Sequence, residues 1–136
     1  MIDESILTKA FDAAKKARNN SYSPYSGYAV GSAIICQSDD EHRIFSGTNV
    51  ENSSYGATIC AERAAILNMV SNSGHKKIEA VVVVSAGEPL AVPCAVCLQV
   101  MAEFCRPDTL IAIGTPDSGI VKRYTFAELL PHPFLL

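Results

Sequence analysis

Three cysteines and one glutamate have the types and spacing of a catalytic metal site. Cys60 is followed two residues later by Glu62. Cys94 and Cys97 form a C-x-x-C pair directly after Pro93. Residues three apart at the start of a helix point to one side of it, and the positive end of a helix favours the thiolate form that binds zinc. Three protein ligands would leave the fourth tetrahedral position to water, as in catalytic zinc sites, and Glu62 would be in reach of that water.

A C-x-x-C pair alone also fits a redox pair, half of a zinc finger or two buried thiols. A closed structural site needs a fourth ligand, and the remaining candidates are poor. Cys36 lies in a strand pattern and is expected in the core, whereas Cys105 is expected to pack at a helix end. The histidines are expected in turns or tails at the solvated surface: His42, His75 and His132.

The elements that must position these residues follow from hydrophobic periodicity and turn signals. Helices are predicted over residues 4–19, 60–70 and about 94–104, strands over 28–36, 43–48, 78–85, 109–113 and 120–124, and a last short helix after the capping-box pattern Thr125-Phe-Ala-Glu128. The strand–helix–strand unit that starts at residue 78 should be a right-handed parallel crossover. We therefore predict a three-layer α/β/α sandwich with a mixed five-stranded sheet, formed by one domain over residues 1–136.

Composition argues against several classes of partner. The net charge is −3 and the pI about 5.5, whereas a protein that binds long nucleic acid normally carries a basic footprint. No apolar stretch has the length of a membrane span, and the N-terminus lacks the apolar core of a signal peptide. We expect a cytoplasmic protein whose five cysteines do not form a disulfide framework.

Taken together, the motifs resemble the cytidine deaminase family, in particular its small homotetrameric branch with three cysteine ligands. A ligand-x-Glu element followed by P-C-x-x-C is the signature of zinc deaminases. The resemblance covers nearly the whole chain and includes SPYS at 23–26, GTNVEN at 47–52, CAER at 60–63 and LLP at 129–131. It implies a homotetramer in pyrimidine salvage. The implied reaction is hydrolytic deamination of free cytidine and deoxycytidine to uridine and deoxyuridine plus ammonia.

The resemblance also implies a role for each residue around the metal. Cys60, Cys94 and Cys97 would hold one Zn²⁺ per chain, and Glu62 would carry protons from water to the cytosine ring and then to the departing amino group. Arg63 matches an arginine that hydrogen-bonds the zinc-bound sulfurs in similar enzymes. Three thiolates on Zn²⁺ leave a formal charge of −1, which a neighbouring guanidinium would offset.

Five further positions match substrate-binding residues of the family. Asn49 and Glu51 would hold the ribose hydroxyls, and the backbone N–H of Ala61 would contact the pyrimidine carbonyl. Tyr28 stands in place of a family Phe beside the nucleoside and adds a hydroxyl that could alter local water. Phe134 matches a C-terminal Phe that reaches into a neighbouring subunit's site and stacks on the base.

One segment departs from the family pattern. Similar enzymes usually read P-C-G-A-C-R-Q, where this chain has P-C-A-V-C-L-Q at 93–99. Ala95 stands at the Gly position, and both cysteine ligands of the segment are retained. Val96, however, adds bulk between two thiolates, and Leu98 removes a positive charge near the metal. Metal electronics, catalytic rate and pocket shape are the properties that these replacements would change.

Three other functions remain open at this stage. A deaminase of bases in polynucleotides would share the metal motif but should have a basic channel. A deaminase of a modified cytosine nucleoside such as blasticidin S shares the scaffold, but those relatives tend to lack the complete Asn-x-Glu-Asn segment retained at 49–52. A non-catalytic zinc-binding or thiol redox module would not need Glu62.

Overall fold

A single five-stranded sheet forms the centre of the computed structural model, which describes residues 2–136. The strand order is β2-β1-β3-β4-β5. In chain order the elements are α1 (Glu4–Arg18), β1 (Gly31–Ser38), β2 (Glu41–Thr48), a short 3-10 helix (Tyr55–Ala57), α2 (Ala61–Ser73), β3 (Ile78–Val84), α3 (Ala95–Met101), β4 (Cys105–Thr115), β5 (Gly119–Thr125) and α4 (Phe126–Leu129).

The sheet is mixed, as predicted. β3 pairs in parallel with β4, and the other neighbouring strands pair in antiparallel fashion. A parallel pair needs a crossover connection, and α3 supplies it between β3 and β4. β3 is the central strand, and all of its residues except Glu79 are buried. The continuous apolar run in the sequence is therefore explained by a strand that is covered on both faces.

Helices cover both faces of the sheet, which confirms the three-layer sandwich. α1 packs on one face through Leu7, Ala10 and Ala14, and the other helices pack on the opposite face. Successive side chains of a strand point to opposite faces. Accordingly, Val82 belongs to the α1 side of the core and Val83 to the other side.

Two strands begin three or more residues away from the predicted position, because tertiary contacts set their starts. β1 begins at Gly31 rather than Tyr28, since the side chain of Asn49 bonds the carbonyl of Tyr28 and the N–H of Val30. β4 begins earlier than predicted, so Cys105 lies in a strand rather than at a helix end. There it pairs with Ile78 and is buried.

The prediction for His42 was wrong. This residue lies in β2, is half-buried, and its Nε2 is 2.9 Å from Oε2 of Glu79. The turn residues Asp39 and Asp40 favoured placing His42 in the same turn, but β2 begins directly after them, at Glu41. His75 and His132 are exposed, as predicted.

Close packing between α2 and β2 places the start of α2 beside the sheet. A Cβ atom at Gly47 would lie 2.4 Å from the backbone nitrogen of Ala65, so only glycine allows this approach. At its other end the helix stops at Gly74, which has a φ of 72°. Among the described residues, 2–136, no helix has the length and apolarity that crossing a membrane requires.

Candidate active site

The sulfur atoms of Cys60, Cys94 and Cys97 lie together at the starts of two helices. All three are within 4.8 Å of one another, and the sulfurs of Cys60 and Cys94 are 3.9 Å apart. Cys60 and Cys94 are the residues that precede α2 and α3, and neither side chain caps its own helix. Cys97 lies in the first turn of α3 and is buried.

This cluster fits a zinc ion. Tetrahedral zinc with Zn–S bonds of about 2.3 Å has its sulfur ligands about 3.8 Å apart, close to the 3.9 Å between Cys60 and Cys94. Contacts with the Cys97 thiol, Arg63 and Cys94, in that order of size, lower the pKa of Cys60 to about 5, which favours the thiolate that zinc binds. Three sulfur ligands leave one tetrahedral position open.

Arg63 contacts the cluster from the first turn of α2. Its Nη2 donates to the carbonyl oxygen of Thr58 at 3.2 Å and lies 3.5 Å from the sulfur of Cys60. A fixed positive charge beside a thiolate lowers the energy of the charged form. The guanidinium is therefore placed to offset negative charge on the sulfur cluster.

Glu62 is a buried carboxyl beside the three sulfurs. It is the second residue of α2, and 4% of its surface is exposed. Burial raises the pKa of Glu62 to about 7, and the negative charge of Cys60 adds to the effect. A carboxyl whose pKa lies near neutrality can accept and donate protons under ordinary conditions.

A cavity of about 480 Å³ opens above Glu62 and the sulfurs. Cavities of this size hold small molecules. Residues of four separate segments line it: Ser26, Tyr28, Val30, Asn49, Glu51, Thr58, Cys60, Ala61, Glu62, Pro89, Leu90, Ala91, Val92 and Cys94. Seven of the ten residues singled out in the sequence lie in this lining, and Cys97 and Arg63 lie beside it through the sulfur cluster.

Glu51 and Asn49 line the same cavity and are held by hydrogen bonds. Oε1 of Glu51 accepts from the backbone N–H groups of Tyr25 and Ser26, at 2.9 and 3.1 Å, and Oε2 accepts from the Ser26 hydroxyl. The Ser26 hydroxyl contributes most to lowering the pKa of Glu51. The amide of Asn49 accepts from Ser21 and from the N–H of Val30, and it donates to the carbonyl of Tyr28.

Ala61 and Tyr28 complete the lining that the sequence predicted. Ala61 is the first residue of α2 and is fully buried, and N–H groups in the first turn of a helix have no partner within the helix. The hydroxyl of Tyr28 donates to the carbonyl oxygen of Pro89. The hydroxyl thus bonds directly to the protein, and its effect on local water stays a prediction.

Phe134 lies outside the cavity of its own chain. It is 67% exposed, and its carbonyl accepts from Nε2 of Gln99 at 2.8 Å. A role in a neighbouring subunit stays a prediction. Of the replaced family positions, Val96 is exposed and outside the lining, and Leu98 is buried in the core cluster that includes Cys97.

The sequence interpretation missed the contacts that join the loops of the cavity. Ser26 holds Glu51, and residues 89–92 form a wall that carries no catalytic residue type. Ser26 was visible only as part of the SPYS motif, and nothing in the spacing paired it with residue 51. No signal in the sequence marked the wall.

Comparison with known proteins agrees with this geometry. The model of the cytidine and deoxycytidylate deaminase zinc-binding region matches residues 3–113. A cytidine deaminase of Halalkalibacterium halodurans is 38% identical over 133 residues, which cover 98% of this chain and 95% of the relative. A probable cytidine deaminase of Dictyostelium discoideum is 37% identical over 134 residues, which cover 98% and 86%.

Solved structures give the same result. The crystal structure of cytidine deaminase from Burkholderia pseudomallei superposes with a TM-score of 0.82 at 32% identity, covering 93% of this chain and 98% of that one. The enzyme from Mycobacterium tuberculosis superposes with a TM-score of 0.80 at 33% identity, covering 100% of both chains. The chain therefore belongs to the family of cytidine and deoxycytidylate deaminases defined by this zinc-binding region.

Proposed function

We propose that this protein is a zinc-dependent cytidine deaminase that hydrolyses free cytidine and deoxycytidine to uridine and deoxyuridine, with release of ammonia. The observation that carries the proposal is the placement of Glu62, a buried carboxyl with a raised pKa, beside three converging sulfurs at the base of a cavity. A purely structural zinc site has no use for such a group. The names of the relatives agree with this reaction.

In this proposal Cys60, Cys94 and Cys97 hold one zinc ion per chain. When bound, zinc supplies a Lewis acid that lowers the pKa of a water molecule in its open position. Arg63 offsets the net negative charge of three thiolates through its contact with Cys60. Because the guanidinium draws charge from the thiolates, a bound zinc ion would remain a strong enough Lewis acid to lower the pKa of the water.

Glu62 carries the protons. It accepts one proton from the attacking water and donates it to N3 of the cytosine ring, which makes C4 more electrophilic. The water oxygen adds to C4 and gives a tetrahedral intermediate. Glu62 then takes the remaining proton of that oxygen to the amino group, the C4–N bond breaks, and ammonia leaves. The ring keeps the oxygen as a carbonyl, so atoms and protons balance for the addition of one water.

The cavity walls have spare hydrogen-bonding capacity for the rest of the nucleoside. The Ala61 N–H would donate to the pyrimidine carbonyl. The Asn49 amide nitrogen carries a second hydrogen besides the one bonded to Tyr28. Oε2 of Glu51 accepts from Ser26 and retains acceptor capacity for a sugar hydroxyl. Tyr28 would flank the nucleoside.

We further propose a homotetramer that acts in cytoplasmic pyrimidine salvage on free nucleosides rather than on nucleic acid polymers. Aromatic side chains near the cavity support an assembly, because Tyr25 and Tyr55 are 50% and 76% exposed and line an adjoining cavity with Glu51. Exposed aromatic groups are enriched at protein interfaces. Phe134 would complete a neighbouring subunit's site by stacking on the base.

A substrate panel tests the proposed function. Zinc-loaded protein is incubated with cytidine, deoxycytidine, cytidine 5′-monophosphate, blasticidin S and a deoxycytidine oligonucleotide, and loss of cytosine absorbance is compared with ammonia release. We expect turnover of the two free nucleosides with equimolar ammonia. Turnover of the oligonucleotide or blasticidin S in preference to both nucleosides, or no turnover of either nucleoside, would contradict the proposal.

A further inference from the structure

We infer that the hydroxyl of Tyr28 is a positioning group, which fixes residues 86–93 as one wall of the cavity and as the approach to Cys94. The kinetic part of the inference rests on the proposed function. The structural part stands on the contacts of the segment itself.

Two backbone hydrogen bonds and the packing of its ring hold Tyr28 in place, so its hydroxyl is a rigid donor. Its N–H donates to Oγ of Ser26 at 3.0 Å, and its carbonyl accepts from Nδ2 of Asn49 at 2.8 Å. The hydroxyl then donates to the carbonyl oxygen of Pro89, 61 residues along the chain. Its ring is half-buried and packs against the core cluster that contains Cys97. The donor is thus anchored to the side of the cavity that carries Glu51.

Few other hydrogen bonds hold the segment that accepts this one, and packing of Leu90 and Ala91 against the core cluster is its other attachment. Residues 86–93 connect β3 to Cys94 and contain neither helix nor strand. In the part of the chain that the structure describes, two hydrogen bonds tie the segment to other residues. One is the Tyr28–Pro89 bond, and the other joins the N–H of Ala91 to Oγ of buried Ser85 at 3.0 Å. Removing one of these two hydrogen bonds should loosen the backbone around Pro89, while Leu90 and Ala91 stay packed against the core.

The segment 86–93 contributes to the site because four of its residues line the cavity and it leads directly to Cys94. Pro89, Leu90, Ala91 and Val92 all line the cavity, and the chain enters the metal cluster directly afterwards at Cys94. Glu62 lies on α2, which is fixed independently by its packing on the sheet. Loosening the wall should therefore weaken substrate binding more than it slows the chemical step. The hydroxyl acts through the segment and does not touch the reacting atoms.

Tyr28→Phe isolates the hydroxyl, because it keeps the ring and its packing. The matched control is Tyr124→Phe in β5, whose hydroxyl has no hydrogen-bond partner within residues 2–136. Both variants and the wild type are compared in zinc-loaded form. The first measurement is amide hydrogen exchange of a peptide that covers residues 86–93, at short labelling times. The second is kcat and KM for cytidine.

We expect faster exchange in residues 86–93 and a rise in KM, each roughly two- to tenfold, as for loss of one neutral hydrogen bond. The expected kcat of Tyr28→Phe stays within about twofold of wild type, as it does when only uniform binding is lost. Tyr124→Phe should match wild type in all three quantities.

The inference is overturned if either the exchange or the KM of Tyr28→Phe equals that of Tyr124→Phe, or if kcat falls by more than KM rises. Failure of the proposed function gives a different result. In that case the wild type itself does not turn over cytidine, and the exchange comparison decides alone whether the hydroxyl fixes the segment.

Discussion

Glu62 owes its chemistry to its immediate surroundings. Burial favours the neutral form of a carboxyl, and the neighbouring Cys60 adds to this effect, so the pKa of Glu62 rises to about 7. An exposed glutamate would remain ionised near neutral pH and would be a poor proton donor. The same carboxyl can therefore serve successive proton transfers in one catalytic cycle.

Replacing Glu62 with Gln would remove the proposed proton transfer with little change of shape. We expect Glu62→Gln to retain zinc, because the three thiols are untouched, and to lose turnover of cytidine by about 10⁴-fold or more, since one group serves several transfers. Glu103→Gln, at an exposed glutamate outside the cavity, should behave as wild type. The measurements are kcat and zinc content. A Glu62→Gln protein that holds zinc and turns over within a fewfold of wild type would remove Glu62 from the mechanism.

Among the elements, α2 does most to position the site, since Cys60, Ala61, Glu62 and Arg63 occupy its start. Its distance from the sheet is set at Gly47, where a Cβ would meet backbone atoms of Ala64 and Ala65 at 2.4–2.7 Å. Backbone atoms cannot move away by changing rotamer. Any side chain at position 47 must therefore shift the helix or the strand.

Gly47→Ala tests this packing. We expect it to lower the free energy of unfolding by about 1–3 kcal/mol, as for other overpacked sites, and to weaken zinc binding because the start of α2 moves. Gly56→Ala is the matched control, since a Cβ there would meet nothing within 4 Å. Denaturant unfolding and zinc titration of both variants give the comparison. Equal stability of the two variants would contradict the role assigned to Gly47.

The elements themselves could be predicted where the pattern is strong. The periodicity of α1 reflects burial of one face of the helix, and the apolar run of β3 reflects burial of both faces of the strand. The capping box at Thr125 and Glu128 is present as predicted. The start of β1 could not be predicted, because the Asn49 side chain replaces ladder bonds there. The environment of His42 depends on Glu79, on a strand that is not its neighbour in the sheet.

The site was predictable in the same uneven way. Metal-binding residue types at fixed spacing indicated the sulfur cluster, and resemblance to a family indicated that Asn49 and Glu51 belong to the same site. The wall at residues 89–92 and the Tyr28–Pro89 bond could not be predicted. They join loops that are distant in sequence, and loops carry no periodicity from which such a contact could be read.

On the scale of the whole molecule, the C-terminal aromatic residue Phe134 does not line the cavity of its own chain. Phe134 is largely exposed, and the tail is joined to α3 through Gln99. If Phe134 stacks on the base in a neighbouring subunit, its loss should weaken binding without altering the metal site.

Deletion of residues 132–136 is expected to raise KM for cytidine by about tenfold, through loss of one aromatic stacking contact and its buried area. Zinc content should not change. Deletion of Leu136 alone is the control, because that residue is fully exposed. Kinetics and light scattering are measured together. Unchanged kinetics in the longer deletion, whether the protein is a tetramer or a monomer, would contradict the role of Phe134.

The most direct test of the account is whether cytidine deamination follows zinc at the three-cysteine site. Wild type and two variants are stripped of metal, titrated with zinc, and assayed for uridine and ammonia. Cys94→Ala removes a proposed ligand. Cys105→Ala is the control, since Cys105 is a core residue whose burial raises its pKa to about 12. We predict that the wild type and Cys105→Ala regain activity at one zinc per chain, and that Cys94→Ala regains neither zinc nor activity. Full cytidine turnover in protein shown by elemental analysis to be free of metal, or none in the zinc-loaded wild type, would contradict the account.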